Sequence, residues 1–164
     1  MKKAVLVAFF ESIKYLGHLF PLALLRVYIG YFYINQALER YGSDFLVRPV
    51  LAETALHWLP RSLAPQWYST FIENILVPNW QIFALAIVVM ELLIGISYVL
   101  GYFVRPLSIL GFFLSLNMLW IYGPESADLY RLLIAIFLTM AWLGAGRCLG
   151  MDYFFYKRQR GIWW

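Results

Sequence analysis

The chain has 164 residues, of which 63% are hydrophobic and only 13% are charged, and its mean hydropathy is +0.70. A water-soluble domain carries about twice that share of charged residues, so the composition excludes a fully solvated surface. We interpret the formal net charge of +4 as a membrane-topology signal and expect no nucleic-acid partner.

The apolar residues form long blocks that predict a single all-α membrane domain over residues 1–164. Residues 1–18 combine three lysines with a short, interrupted apolar run, which predicts an uncleaved helix at the membrane interface. Four segments then reach the length of about 20 residues that is needed to cross the hydrocarbon layer. These predicted spans cover residues 19–38, 80–100, 105–122 and 129–149, and they predict a four-transmembrane-helix bundle.

The lysines and arginines flanking the spans predict the orientation of the chain. Eight lie on the side of the two termini and four lie on the opposite side. Because cytoplasmic loops carry an excess of Lys and Arg, we expect both termini in the cytoplasm. The expected topology is therefore multi-pass, N-in and C-in.

The loop between the first two predicted spans, residues 39–79, is too long to be structureless. Apolar residues recur with helical spacing in Phe45–Leu59 and in Trp67–Leu76, and prolines separate the segments. We expect two short amphipathic helices on the outer face of the bundle. They could form a substrate-binding cap, or a lid that only covers helix ends.

Two ionisable residues, Arg26 and Glu91, lie within predicted spans at similar estimated depths. A charge in hydrocarbon is costly without a partner, so we expect the two side chains to meet, directly or through a bound polar group. The structural alternatives are an arginine that snorkels to the headgroups and a protonated glutamic acid bonded to a neighbouring helix. The functional alternative is a pair that holds a polar headgroup such as a quinone.

The residues around Arg26 and Glu91 follow one shared pattern, charge-x-x-Ile-Gly-x-x-Tyr. Glycines on the same helix faces would allow close approach of the two backbones. A mid-span asparagine in the third span would bond across helices. The candidate residues for a polar pair or a quinone or lipid headgroup site are therefore Arg26, Glu91, Tyr33, Tyr98 and Asn117.

Residue types that carry other common chemistries are sparse. The single cysteine, Cys148, has no second thiol in the chain, and we expect it to be functionally silent. Histidine, cysteine and carboxylate residues show no metal-ligand spacing, so we expect no metal and no intrinsic cofactor. Any electrons would have to come from a partner, and whether the chain is an enzyme is left open.

From about Leu24 to Asp152 the chain resembles the DoxX/DoxD-like family of four-helix membrane proteins. The resemblance depends on Leu25-Arg26 with Gly30, on Glu91 with Gly95, on the turn Leu100–Pro106, and on Gly144-Ala145-Gly146-Arg147 followed by Asp152. It implies a quinone-reactive or auxiliary subunit of a membrane redox system, such as a thiosulfate:quinone oxidoreductase. Because a fold does not determine a reaction, the resemblance implies the architecture more directly than an activity.

Two functional hypotheses follow. The first is an auxiliary subunit of a larger bacterial inner-membrane complex, respiratory or otherwise redox-linked, that packs against partner subunits and membrane lipids. The second is a quinone-binding oxidoreductase subunit in which Arg26 and Glu91 hold the headgroup. Co-purification of a quinone or of other subunits would distinguish them.

Overall fold

A computed structural model describes residues 20–62, 64–122, 124–147 and 149–152 of the chain. Within these ranges the structure is helical and contains no strand, which confirms the predicted all-α class for this part of the chain. The α-helices are α1 Phe20–Gly42, α2 Val50–Trp58, α3 Gln66–Phe71, α4 Trp80–Leu100, α5 Val104–Ile121 and α6 Ala127–Leu143. Short 3-10 turns lie at Asp44–Leu46, Leu59–Arg61, Pro124–Ser126 and Ala145–Arg147, and a π-helical turn at Ile72–Leu76 continues α3. The predicted interfacial helix at residues 1–18 and Cys148 lie outside the described residues.

Within the described residues, three helical segments are long and apolar enough to cross a membrane, namely α4, α5 and Pro124–Leu143, which contains α6. They identify the chain as a membrane protein. Helix α1 is longer, at 23 residues, but its arginines, amides and tyrosines lower its mean hydropathy, and it is not among the three. A fourth crossing by α1 stays a prediction.

Helices α1 and α4 pack antiparallel, and two glycines set their register. A Cβ atom added to Gly30 would lie 2.9 Å from the carbonyl oxygen of Gly95 and from the backbone nitrogen of Val99. One added to Gly95 would lie 2.9 Å from the backbone nitrogen of Ile34. The close approach predicted for these glycine faces is therefore confirmed, and Gly30 and Gly95 mark the crossing point of the two helices.

Helix α4 ends as predicted at Leu100, but α6 ends at Leu143, six residues before the predicted end of the fourth span at residue 149. Gly144 has a φ of +63°, a left-handed conformation that terminates helices. A side chain at this position would also meet the guanidinium of Arg105, since an added Cβ would lie 2.8 Å from its Nε. The residues after Gly144 therefore form a separate segment instead of the last turns of a span.

The long loop contains both predicted helical segments, but the first α-helix begins at Val50 and not at the predicted Phe45, which lies in a separate 3-10 turn. Helix α2 begins directly after Pro49, and α3 begins directly after Pro65. Their inward faces are buried against the ends of the long helices through Leu51, Ala52, Ala55, Tyr68, Ile72 and Leu76. We call this side of the molecule, where α1 ends and α4 begins, the loop end. The opposite side, formed by Arg26, Gly101–Val104 and the segment 144–152, is called the glycine end.

Candidate functional site

Arg26 is completely buried at the glycine end. Its Nη1 donates a hydrogen bond to the carbonyl oxygen of Ala145 at 2.8 Å, and its Nη2 donates to that of Leu149 at 3.0 Å. Both acceptors lie after α6 has ended, where carbonyl groups have no helical partner of their own. The guanidinium, with its five donors, satisfies these carbonyls and offsets the cost of its own burial. Arg26 therefore ties α1 to the segment that follows α6.

Two glycines make room for the Arg26 guanidinium. A Cβ atom added to Gly101 or to Gly150 would lie 2.7 Å from Arg26 Nη1. Gly101 also has a φ of +65°, which side chains other than glycine rarely adopt. This position thus requires glycine for both its backbone conformation and its contact with Arg26.

The Asp152 carboxylate binds the start of α5 at the glycine end. Its Oδ1 accepts a hydrogen bond from the backbone N–H of Phe103 at 2.8 Å, and its Oδ2 accepts one from that of Val104 at 3.2 Å. These N–H groups begin α5, so a carboxylate there satisfies unpaired donors and interacts favourably with the helix dipole. The backbone N–H of Asp152 also donates a hydrogen bond to the carbonyl oxygen of Gly101 at 2.9 Å. The segment after α6 is thereby joined to the turn between α4 and α5.

Glu91 lies in the interior of the loop-end half and pairs with Arg40. The distance from Arg40 Nη1 to Glu91 Oε1 is 3.0 Å, and the two side chains are 10% and 2% exposed. Side chains on a helix lean towards its N-terminus. In this antiparallel pair Arg40 therefore reaches inward from α1 and Glu91 reaches back towards it from α4. The Arg40 guanidinium also lies 5.1 Å and 5.8 Å from the ring centroids of Phe45 and Tyr122.

The Arg40–Glu91 pair lies at ion-pair distance but is not fully hydrogen-bonded. Among the described residues, Glu91 Oε2 has no hydrogen-bond partner, and Arg40 Nη1 reaches Glu91 at ion-pair distance without hydrogen-bond geometry. Attraction between the opposite charges and the ring contacts of Arg40 hold this cluster together. The pair stabilises the contact between α1 and α4 mainly through charge.

The predicted pairing of Arg26 with Glu91 is wrong. Similar depths for Arg26 and Glu91 were estimated on the assumption that the ends of the two spans are level. The Gly30–Gly95 crossing instead places Arg26 level with Gly101. Glu91 lies ten residues before Gly101, or about 15 Å along the helix axis. Arg26 binds backbone carbonyls at the glycine end, and Glu91 pairs with Arg40 in the loop-end half.

The two tyrosines of the repeated pattern lie in the core between these ends. Tyr33 is within 3.2 Å of Ser115 and Tyr98 within 2.6 Å of Ser108, hydroxyl to hydroxyl. Both rings contact Phe137 edge to face, at centroid distances of 5.6 and 5.7 Å. Because their hydroxyls are bonded to α5 and their rings to α6, we interpret these tyrosines as packing residues that join the α1–α4 pair to the α5–α6 pair.

Asn117 lines an apolar groove beside α4 and α5. Its Oδ1 accepts a hydrogen bond from the Tyr68 hydroxyl at 3.0 Å, and its Nδ2 donates to the Phe113 carbonyl at 2.7 Å. Burial raises the pKa of Tyr68 above its usual value, so the phenol stays protonated and able to donate. The groove has a cavity volume of about 210 Å³, and its other walls are apolar side chains that include Phe71, Phe83, Met90, Leu110 and Met118.

The sequence interpretation missed Arg40, which it assigned to the loop beyond a span ending at Leu38. The spacing in the sequence could have identified Arg40. Five residues of α1 that are buried in the structure follow one another at intervals of three or four. These residues are Arg26, Gly30, Tyr33, Ala37 and Arg40. Extending the interior face of α1 by one further turn identifies Arg40 as a partner for Glu91.

Comparisons with known proteins add no family assignment. No family model, no curated protein and no solved structure matches the chain. The resemblance to DoxX/DoxD-like proteins therefore stays a hypothesis drawn from the residues. In the described part of the chain, His, Cys, Asp and Glu residues form no group of three or more that could hold a metal ion.

Proposed function

We propose that the chain is an accessory subunit of a larger bacterial inner-membrane complex, which acts by packing against partner subunits and lipids. In this proposal α1 is the fourth span, residues 1–18 form an interfacial helix, and both termini are cytoplasmic. The packing of α1 along α4 supports a four-span bundle, and so do the large apolar and aromatic side chains that α1 exposes, among them Leu24, Val27, Tyr28 and Tyr31.

The observation that carries this proposal is the contrast between the interior and the surface of the long helices. Arg26, Arg40 and Glu91 are bonded or paired inside the chain, so their burial is explained without a substrate. The outward side of α6 instead exposes large apolar side chains, namely Leu129, Leu132, Leu138 and Trp142. Trp142 is 86% exposed, which suits a surface covered by lipid or by another membrane protein. The DoxX/DoxD-like resemblance adds that the complex is respiratory or otherwise redox-linked.

Site-specific photo-crosslinking in native membranes tests the accessory role. A photoreactive amino acid at Leu132 or Leu138 is expected to form a discrete crosslinked band with a second protein. Ile82 on α4, which is 69% exposed, is the matched control and should give mainly lipid adducts. If every position gives lipid adducts only, and the chain purifies alone from mild detergent, the proposal is contradicted.

Cysteine accessibility tests the proposed orientation. A cysteine at His57, an exposed position of α2, in a Cys148→Ser background should react with an impermeant maleimide from the periplasmic side. Labelling of this position from the cytoplasmic side alone would overturn the N-in, C-in topology.

A second candidate function, the binding of a quinone or a related prenyl lipid, is favoured by the groove at Asn117. Its walls are apolar and its polar group is an amide, a combination typical of sites for such ligands. Arg26 and Glu91 are too far apart to hold one headgroup, so Asn117 and Tyr68 replace them in this candidate. Organic extraction of purified protein should then yield about one quinone per chain, and Asn117→Leu should remove it. The absence of quinone from the wild-type extract would eliminate this candidate.

A further inference from the structure

A second, smaller cavity at the loop end combines two arginines with an apolar floor. Its volume is about 80 Å³, and its lining comprises Arg61, Ser62, Leu119, Trp120, Pro124, Ala127 and Arg131. The two arginines come from segments separated by 70 residues, and no acidic side chain is among the described residues that line the cavity. The fold therefore brings two positive charges to the edge of one apolar depression.

The position of this cavity along the helices indicates its depth in the membrane. Leu119 and Trp120 belong to the last turn of α5, and Ala127 begins α6. Both helices lie in segments that are apolar enough to cross a membrane, so the turn between them lies where the hydrocarbon gives way to headgroups. The Trp120 ring has its centroid 4.6 Å from that of Tyr68, and clustered Trp and Tyr rings are typical of that interface. Phospholipid phosphates lie at the same depth.

The two arginines differ in how far their charge is already neutralised. Arg61 forms no ion pair with another described residue, and it is exposed. Arg131 donates to Asp128 at 3.1 Å, but the Asp128 carboxylate is 98% exposed, and such surface pairs are weak. Guanidinium groups bind phosphate oxygens through paired N–H donors. Both arginines thus remain able to bind an anion.

We propose that this cavity binds the phosphate of a phospholipid, with Arg61 and Arg131 holding the phosphate and the apolar floor contacting the start of the acyl chains. The volume corresponds to about two or three water molecules, which suits a headgroup phosphate at its mouth but not a whole lipid. Anionic phosphatidylglycerol is the preferred ligand, because its headgroup lacks the ammonium that would be repelled by the two guanidinium groups.

Native mass spectrometry of delipidated protein, titrated with phosphatidylglycerol or phosphatidylcholine, tests the proposal. Removing each arginine should weaken the first phosphatidylglycerol binding event about fivefold, and Arg61→Gln/Arg131→Gln should lose the preference over phosphatidylcholine. Arg48→Gln is the matched control, because Arg48 is an outer-loop arginine that is 73% exposed and paired with Asp44. It should bind like the wild type.

Two outcomes would overturn the assignment. If the double variant binds phosphatidylglycerol as tightly as Arg48→Gln does, the two arginines do not form a lipid site. If millimolar inorganic phosphate displaces the first phosphatidylglycerol from wild-type protein, the cavity is a site for a free anion. The proposal predicts no displacement, because the apolar floor contributes only to the binding of the lipid.

Discussion

At the glycine end the buried guanidinium of Arg26 is held by backbone carbonyls, whereas at the loop end that of Arg40 faces a carboxylate and two aromatic rings. Both arginines lie on the same face of α1, yet Arg26 donates hydrogen bonds to two backbone carbonyls and Arg40 forms an ion pair with Glu91. The two buried arginines thus have different partners. Arg26 binds backbone carbonyls that follow α6, and Arg40 pairs with the carboxylate of Glu91.

This difference predicts different consequences of mutation at the two ends. Carbonyl groups cannot change their charge or move away when their donor is removed, whereas a carboxylic acid can take up a proton. Loss of the arginine at the glycine end should therefore destabilise the fold more than loss of the arginine at the loop end.

The largest effect is expected for Arg26→Met. The carbonyls of Ala145 and Leu149 lose their donor in a buried site, which should lower the free energy of unfolding by about 3 kcal/mol or more. The thermal unfolding midpoint in detergent should fall by roughly 6–12 °C. Arg48→Met, at an exposed position, is the control. A change in Arg26→Met no larger than that of the control would show that the glycine end does not depend on Arg26.

Alanine at the helix crossing should have the next largest effect. Gly95→Ala would place a methyl group 2.6 Å from the Ile34 side chain and 2.9 Å from its backbone, and such overpacking costs about 1–3 kcal/mol. Gly42→Ala is the matched control, because nothing lies within 4 Å of the added atom. Equal midpoints for the two variants would argue against the crossing that separates Arg26 from Glu91.

A smaller effect is expected for Tyr68→Phe in the long loop between α1 and α4. It removes the hydrogen bond to Asn117, which should be worth about 0.5–1.5 kcal/mol, while the ring keeps its contacts. Tyr28→Phe, at a position that is 65% exposed, should leave the midpoint unchanged. If Tyr68→Phe also has no effect, the hydrogen bond does not help to hold α3 against α5.

The sequence predicted the helices well where apolar patterning determines them. The bounds of α4 agree with the prediction, and those of α5 differ by one residue at each end, because the limits of apolar runs set the spans. The two loop helices were anticipated from the helical spacing of their apolar residues and from the prolines that separate the segments. The end of α6 was missed because Gly144 adopts a left-handed conformation within the segment that was predicted to continue to residue 149.

The candidate site was harder to predict, because pairing depends on register. The repeated pattern correctly identified the glycine faces, but in an antiparallel pair it places Arg26 and Glu91 on opposite sides of the Gly30–Gly95 crossing. The role of Asp152 at the start of α5 could not be derived from spacing. Its carboxylate accepts a hydrogen bond from the N–H of Val104, which is 48 residues away in the sequence. Only the folded backbone brings these groups together.

The central claim is that Glu91 is paired with Arg40 and is independent of Arg26. Double-mutant cycles on the unfolding free energy in detergent test it, with Glu91→Gln combined either with Arg40→Met or with Arg26→Gln. The account predicts a coupling of about 1 kcal/mol or more for Arg40 and Glu91, and less than about 0.5 kcal/mol for Arg26 and Glu91. Strong coupling of Glu91 to Arg26 with none to Arg40 would contradict it.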